Sequence, residues 1–200
     1  MSAQQTSEWL EARLGCCTAS NFSDVLAKGE GKMRKAYLRR VIAERLTGKP
    51  LDSWSNSHTD RGNEQEPMAR LSYEAKSGYL VKEVGFIKHP VLMAGASPDG
   101  LIDHDGGIEI KSVIPTVQIE TIEKGGYPTC HKAQIQGSLW ITGREWWDFV
   151  SYSADLKEHL QLYIFRVERD EEFILILESE VIKFLKEVDD SYNKLMAWKP

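Results

Sequence analysis

Residues 107–112, near the middle of the chain, alternate apolar and polar side chains with a period of two. This pattern predicts a β-strand in which Ile108 and Ile110 face the hydrophobic core. Residues two apart in a strand project from the same face, about 6.6 to 7 Å apart, so Glu109 and Lys111 are expected side by side on the opposite face. The backbone itself thereby holds a carboxylate and an ammonium group together.

Segments with helical and strand-like patterns alternate around this strand. Helical spacing of apolar residues marks residues 7–13, 33–47, 62–75, 130–142 and 181–195. Strand-like patterns mark residues 79–88, 91–96, 146–153, 160–167 and 173–177. The alternation predicts an α/β fold with helices flanking a mixed central β-sheet. With 42% apolar residues and no repeat or Pro/Ser-rich linker, residues 1–200 are expected to form a single domain.

Composition excludes several classes of protein. Three cysteines, two of them adjacent at Cys16 and Cys17, do not suit a disulfide framework and indicate a reducing compartment. The five histidines form no zinc-binding motif. The N-terminal segment lacks an apolar targeting region, and the longest apolar runs are far shorter than a membrane span. We therefore expect a soluble, cytoplasmic protein with no membrane association.

Charge is distributed unevenly along the chain. The formal net charge is −5, which by itself argues against a nucleic-acid partner. Residues 28–49, however, contain eight Lys or Arg against two Glu, whereas residues 168–190 contain nine acidic residues against three basic ones. The basic run is either a solvated helix face or, if a phosphate-processing site lies nearby, a surface that faces nucleic acid.

A second carboxylate precedes the central strand in the turn sequence Ser-Pro-Asp-Gly. Asp99 is followed by a glycine, which suits a turn that brings its side chain toward Glu109. Convergent carboxylates suit Mg²⁺, which takes oxygen ligands, and Lys111 can help to form or orient a hydroxide beside the metal. This combination is suited to hydrolysis of a phosphodiester. The alternative is a common turn and a solvent-facing strand with a weak ion pair.

An aspartate, about ten residues and then Glu-x-Lys resembles the signature of the PD-(D/E)XK nuclease superfamily. Further segments resemble its lambda exonuclease branch, the phage-type alkaline exonucleases or YqaJ-like viral recombinases. The segment "EWLEARLGCCTAS" is similar to a family segment that binds the 5′ phosphate, which implies substrate binding by Arg13, Ser20 and the neighbouring Thr18. Alternatively, Thr18 and Ser20 cap a helix and Arg13 lies in solvent.

The segment "RGNEQEPMAR" is similar to a family helix whose glutamate joins the metal site. Glu66 matches that position, and Glu64 competes with it. On a helix the two side chains point about 200° apart, so only one can easily face the site. Pro67 interrupts an interior helix turn unless the helix begins just before it, which leaves the geometry of Glu66 open. The resemblance also puts Ile110 in the metal-binding set with Asp99 and Glu109.

Three further positions are implied as substrate contacts. "HKAQIQGSLWITG" resembles the family's Gln-x-Gln helix and implies that Gln134 lies against the active site, although it is equally a polar residue on an exposed helix face. "FVSYSADL" resembles the strand that follows and implies a role for Tyr152. Trp54, in a polar loop before the Glu66 helix, either inserts between the strands of an incoming duplex or packs against a neighbour.

The resemblance implies a restriction-endonuclease-like core and an enzyme that digests one strand of duplex DNA. The expected activity is Mg²⁺-dependent 5′-to-3′ hydrolysis of the 5′-phosphorylated strand of linear double-stranded DNA, which releases mononucleotides and leaves a 3′ single-stranded overhang. The family favours two Mg²⁺ ions per site, with Mn²⁺ able to substitute, a homotrimer ring around the DNA, and a single-strand annealing protein as recombination partner. The alternatives are a sequence-specific or structure-specific endonuclease and a catalytically silent DNA-end-binding module.

Overall fold

Helices and strands alternate along the chain much as the sequence patterns predict. The computed structural model describes residues 4, 6–27, 31–51 and 57–199, with only the backbone for residues 57–63. A mixed β-sheet flanked by helices forms the centre of the fold, which confirms the predicted α/β class.

The elements have the following bounds. The first half contains α1 (Ser7–Arg13), β1 (Cys17–Thr18), α2 (Phe22–Leu26), α3 (Lys32–Thr47), α4 (Ser57–Ser77), β2 (Val81–Lys82), β3 (Ile87–Lys88) and β4 (Ala94–Ala96). The second half contains β5 (Gly100–Ile102), β6 (Gly106–Ser112), α5 (Pro115–Lys124), α6 (Lys132–Thr142), β7 (Trp146–Tyr152), α7 (Glu158–Gln161), β8 (Leu162–Glu168) and α8 (Glu171–Met196). Short 3₁₀ turns, Ala19–Asn21 and Thr129–His131, precede α2 and α6.

The alternating segment forms β6, a central strand of the larger sheet. The order in this sheet is β2-β5-β6-β7-β8, in which β6 and β7 are parallel and the other pairs are antiparallel. The smaller sheet has the order β1-β4-β3, and β1 runs parallel to β4. This parallel pairing brings the segment after α1 next to the segment that leads to Asp99.

The two faces of β6 pack against different helices. Ile108 and Ile110 are buried in a cluster with Ala69 and Tyr73 of α4. The opposite face of the sheet packs against α6 and α8 through a second cluster, which contains Ile135, Leu139, Trp147, Phe149 and Ile174. The predicted orientation of Ile108 and Ile110 is therefore confirmed, and Glu109 and Lys111 lie on the side of α6.

The strand expected at residues 173–177 is wrong, because these residues form the first turns of α8. Asp170 caps this helix, since its side chain accepts a hydrogen bond of 3.0 Å from the backbone N–H of Phe173. Within the run, Ile174 and Leu177 are buried and are followed by buried Val181, which is helical rather than strand spacing.

The basic run and the acidic tail are partly paired with each other. Arg34 on α3 donates two hydrogen bonds, of 2.6 and 2.8 Å, to the carboxylate of Glu187 on α8. Arg45 similarly lies 2.5 Å from Asp189. Arg34 and Arg45 thus pair with acidic residues of α8, whereas Arg39 in the same basic run is exposed. Among the helices in the described part of the chain, none combines the length and apolar character needed to cross a membrane.

Candidate active site

The turn before β5 places Asp99 next to β6. The antiparallel register pairs Gly100 with Ile108, so the preceding residue, Asp99, lies beside Glu109. Oδ2 of Asp99 accepts a hydrogen bond of 2.6 Å from the backbone N–H of Ile110. This bond fixes the carboxylate of the turn to the strand that carries Glu109 and Lys111, as the sequence predicts.

Glu109, Lys111 and Gln134 form a hydrogen-bonded triangle. Glu109 is only 2% exposed, and its Oε1 accepts hydrogen bonds from Nζ of Lys111 at 2.6 Å and from Nε2 of Gln134 at 2.5 Å. The Lys111 ammonium also donates to Oε1 of Gln134 at 3.3 Å. The second carboxylate oxygen of Glu109, Oε2, is buried and has no hydrogen-bond partner.

We call the group formed by Asp99, Glu109, Glu66 and Lys111 the carboxylate cluster, because the charges of the other three shift the pKa of Asp99. Burial raises the pKa of Asp99 well above its usual value, and the carboxylates of Glu109 and Glu66 add to this effect. Burial would lower the pKa of Lys111, but the neighbouring carboxylates Glu109 and Asp99 outweigh it and raise that pKa above its ordinary value. Lys111 is therefore an ammonium group at neutral pH.

His131 is a neighbour of Lys111 that the sequence did not single out. Its ring stacks on Phe149, with centroids 5.6 Å apart. Burial, followed by the charge of Lys111, lowers the pKa of His131 to about 4. The imidazole is thus neutral at pH 7 and adds no positive charge beside Lys111.

The structure brings Glu66, and not Glu64, toward this cluster. Burial raises the pKa of Glu66, and the charges of Glu83 and Glu109 act in the same direction against the lowering effect of Arg70. Glu64 is exposed. Helix α4 starts well before Pro67 and continues through it, so the proline does not interrupt the helix that carries Glu66.

The side chains present fit a hard divalent cation. Asp99, Glu109 and Glu66 supply carboxylate oxygens, which Mg²⁺ prefers as ligands. Oε2 of Glu109 has no hydrogen-bond partner and is therefore available to bind a cation. Ile110 has its side chain in the core, so only its backbone carbonyl can serve a cation. Among the described residues, no group of three or more His, Cys, Asp or Glu side chains is already arranged to hold a metal ion. In this structure Glu66 accepts a hydrogen bond of 2.5 Å from Arg70, and Glu109 accepts one of 2.6 Å from Lys111.

A small pocket lies next to the triangle. The residues Arg13, Thr18, Ser20 and Gln134, all predicted from the sequence to contact substrate, line it together with Ala19, Ser97 and Ser138. Sequence reasoning missed the last two serines. Ser97 lies two residues before Asp99 in the same turn segment, and Ser138 lies one helical turn after Gln134 in α6, so both positions were adjacent to predicted ones.

The hydroxyl groups of this pocket do not cap a helix. Thr18 has the N-cap position of the 3₁₀ turn but makes no side-chain capping bond. Its Oγ1 lies 3.3 Å from Oγ of Ser20, and Nδ2 of Asn21 donates to the two hydroxyls at 2.8 and 3.2 Å. Arg40 in turn donates to Oδ1 of Asn21 at 2.7 Å. The hydroxyls thus form a polar network that extends to the basic helix α3.

One predicted substrate residue, Tyr152, is not brought to the site. Tyr152 is 3% exposed and packs in the cluster of Ile108 and Ile110, on the face of the sheet opposite Glu109. Its position in β7 is fixed by parallel pairing with Ser112, which puts its side chain under α4 rather than toward α6. Trp54 lies outside the described residues.

Two solved exonuclease structures are similar to this chain in sequence and fold. The structure of LHK-Exo in complex with dAMP is 42% identical in sequence to this chain and has a TM-score of 0.90. The match covers 95% of this chain and 96% of the LHK-Exo chain. The alkaline exonuclease LHK-Exo from Laribacter hongkongensis, at 41% identity over 96% of each chain, has a TM-score of 0.89.

More distant relatives share the fold or part of the sequence. A phage-related exonuclease from Haemophilus somnus 129PT is 16% identical over 90% of this chain and 96% of its own, with a TM-score of 0.68, which shows the fold alone. The protein ExoD of Escherichia coli K12 is 27% identical over 67 residues, or 34% of this chain and 76% of ExoD. The sequence profile of the YqaJ-like viral recombinase domain matches residues 8–145. Since this match spans most of the sequence, the chain belongs to the YqaJ-like viral recombinase family.

Proposed function

We propose that this protein is a Mg²⁺-dependent exonuclease that digests the 5′-phosphorylated strand of linear double-stranded DNA from 5′ to 3′. The observation that carries the proposal is the position of Gln134. Its side chain bonds to Glu109 and Lys111 and also lines the pocket of Arg13. A site for an anionic end group is therefore next to a site for phosphodiester hydrolysis. The similarity to exonucleases supports the same activity.

The pocket is suited to the 5′-terminal phosphate. Arg13 supplies a guanidinium that can pair with two phosphate oxygens, while Thr18, Ser20 and Ser97 supply hydroxyl donors. With the end group held there, the next phosphodiester along the strand can reach the carboxylates of Asp99 and Glu109. One nucleotide then separates the bound end from the bond that breaks, which accounts for release of mononucleotides.

In the proposed reaction Lys111 acts on the attacking water. Glu109 keeps the Lys111 ammonium protonated and aimed at the cluster. Nζ can then hold the attacking oxygen by a hydrogen bond while the water gives up a proton to solvent and its oxygen bonds to phosphorus. The bond from phosphorus to the 3′ oxygen of the terminal nucleotide breaks, and that oxygen takes up a proton from solvent. When bound by Asp99, Glu109, Glu66 and the Ile110 carbonyl, one or two Mg²⁺ ions, or Mn²⁺ in their place, supply Lewis acidity and a bound water of lowered pKa.

The reaction regenerates its own substrate. Cleavage at the 3′ oxygen of the terminal nucleotide leaves the phosphate on the remaining strand, so the new end again carries a 5′ phosphate. The Arg13 pocket can bind this end in the next cycle, while the complementary strand grows as a 3′ single-stranded overhang.

Family membership supports three further parts of the proposal. We infer a homotrimer ring around the DNA, a single-strand annealing protein that receives the overhang during recombination, and action in the cytoplasm of a bacterial or phage-infected cell. The ring is the part most easily checked, because sedimentation equilibrium gives the mass of the assembly. A monomeric mass at micromolar concentration would remove the ring from the proposal.

One assay tests the central claim. Linear duplex with a 5′ phosphate, the same duplex with a 5′ hydroxyl, and a closed circle are each incubated with Mg²⁺ or EDTA. We expect mononucleotides from the phosphorylated duplex with Mg²⁺ and no products with EDTA, because the carboxylate cluster needs the cation. Cutting of the closed circle would instead support an endonuclease. Binding of ends without products would support a silent module.

A further inference from the structure

Trp9 connects two parts of the phosphate pocket that are distant in sequence. Its indole is 2% exposed. The guanidinium of Arg13, one helical turn later, lies over the indole ring with Cζ 4.1 Å from the centroid. On its other side, Nε1 donates a hydrogen bond of 3.0 Å to Oγ of Ser97. One buried side chain therefore contacts a charged residue and a hydroxyl residue that line the same pocket.

Helix α1 is too short to fix the position of Arg13 by itself. It has seven residues, and isolated helices of this length are unstable in water, so tertiary contacts must hold it in place. The side chain of Thr6 caps its start by accepting from the backbone N–H of Trp9 at 3.2 Å. Nε2 of Gln4 donates to the carbonyl of Pro98 at 2.6 Å. Gln4 before α1 and Trp9 within it therefore both tie this part of the chain to the segment between β4 and β5.

That segment also carries a residue of the carboxylate cluster. Ser97 and Asp99 are two residues apart, and Asp99 is bonded to the backbone of β6. The hydrogen bond from Trp9 to Ser97 thereby sets the end-binding pocket in a defined relation to the carboxylates. A phenylalanine could fill the apolar volume of the indole, but it has no N–H to donate, so burial alone does not account for a tryptophan here.

We propose that Trp9 is a positioning residue for recognition of the 5′ phosphate, an inference that rests on the proposed function. By stacking under Arg13 and bonding to Ser97, the indole holds both groups in place before the DNA end arrives. An arginine side chain that must be ordered at the moment of binding loses rotamer freedom, and this loss lowers affinity. Stacking on a buried indole orders the guanidinium before the DNA end arrives.

The test replaces Trp9 and measures selectivity rather than activity alone. For Trp9→Phe we expect the ratio of kcat/KM for 5′-phosphorylated over 5′-hydroxyl duplex to fall about tenfold, the effect of one lost hydrogen bond to a recognition residue. A merely structural role would lower both values together and leave the ratio unchanged. Circular dichroism and the thermal midpoint confirm that the variant is folded.

Trp146→Phe is the matched control. Trp146 is also buried and also lies under a guanidinium, that of Arg166 at 3.5 Å, but it packs with Tyr79 at the other face of the sheet. We expect this variant to lose stability without a change in the selectivity ratio. Should Trp9→Phe fail to fold, benzothienylalanine at position 9 keeps the ring shape and replaces the N–H by sulfur, and the same fall is expected.

A double-mutant cycle separates this inference from the proposed function. Since the Trp9 N–H acts through Ser97, Trp9→Phe combined with Ser97→Ala should lower the ratio little more than Ser97→Ala alone. A folded Trp9→Phe protein that keeps the wild-type ratio overturns the positioning role, while Ser97→Ala and Arg13→Ala still report on the pocket. A wild-type protein without preference for the 5′ phosphate overturns both proposals.

Discussion

Replacement of Lys111 by methionine is expected to lower the rate of DNA cleavage by about a thousandfold while leaving the binding of DNA ends nearly intact. The methionine keeps most of the apolar stem but removes the ammonium that Glu109 holds at 2.6 Å. General acid–base catalysis typically contributes about 10² to 10⁴ to a rate, and stabilisation of developing charge adds to it. Single-turnover cleavage of phosphorylated duplex gives the rate, and fluorescence anisotropy with EDTA gives the affinity.

Lys132→Met is the control for this change. Lys132, at the start of α6, is half-exposed and pairs with Asp170 at 2.8 Å, away from the carboxylate cluster. We expect its cleavage rate to stay within about twofold of wild type, as for a surface ion pair. If Lys111→Met kept a tenth or more of the wild-type rate, the assigned role of Lys111 would be wrong. Lys111→Arg adds a further distinction, because recovery of activity there would mean that charge alone is needed.

The relation of Glu109 and Lys111 could be predicted because it depends on local geometry. A strand places alternate side chains on opposite faces, so the identities of Ile108 and Ile110 decide where their neighbours point. The position of Asp99 could also be predicted, because it lies in the turn before β5 and β5 pairs with the adjacent strand β6. In both cases the information lies within about fifteen consecutive residues, where backbone geometry leaves few alternatives.

The pocket could be predicted only in part because it depends on pairing between distant segments. Thr18 meets the segment before Ser97 through the parallel pairing of β1 with β4, in which Thr18 is opposite Gly95. Nothing local in either segment specifies this partner. The family resemblance supplied Arg13 and Ser20, whereas Ser97 and the contacts of Trp9 needed the three-dimensional arrangement.

Residues 173–177 were predicted wrongly because their local sequence favours a strand although they form part of a helix. The run Phe-Ile-Leu-Ile-Leu at residues 173–177 is rich in residues that favour strands. Packing decides against that propensity, because only a helix buries Ile174 and Leu177 together with Val181 and Phe184 of the same element. Likewise, Tyr152 follows the family pattern in sequence, but the period of two in β7 turns its side chain away from the site.

The second large effect on DNA cleavage is expected from substitution of Glu66. Glu64, in the same helix, serves as its control. Glu66 is part of the electrostatic environment of Asp99, whereas Glu64 is exposed. Glutamine at position 66 can still accept the hydrogen bond from Arg70, so the substitution removes charge with little change in packing. Its effect therefore reports on the attraction between this carboxylate and a cation.

Glu66→Gln is expected to weaken Mg²⁺ binding and to lower the maximal cleavage rate about a hundredfold, whereas Glu64→Gln should remain within about twofold of wild type. Isothermal titration calorimetry with Mg²⁺ in the absence of DNA measures the first effect, and Mg²⁺ titration of single-turnover cleavage measures the second. Weaker Mg²⁺ binding by Glu66→Gln in calorimetry would identify Glu66 as a metal ligand without any measurement of turnover. The reverse order, with Glu64→Gln more damaging than Glu66→Gln, would mean that α4 presents a different face when the cation binds. Equal and small effects would leave Asp99 and its neighbour Glu109 as the carboxylates that hold the metal.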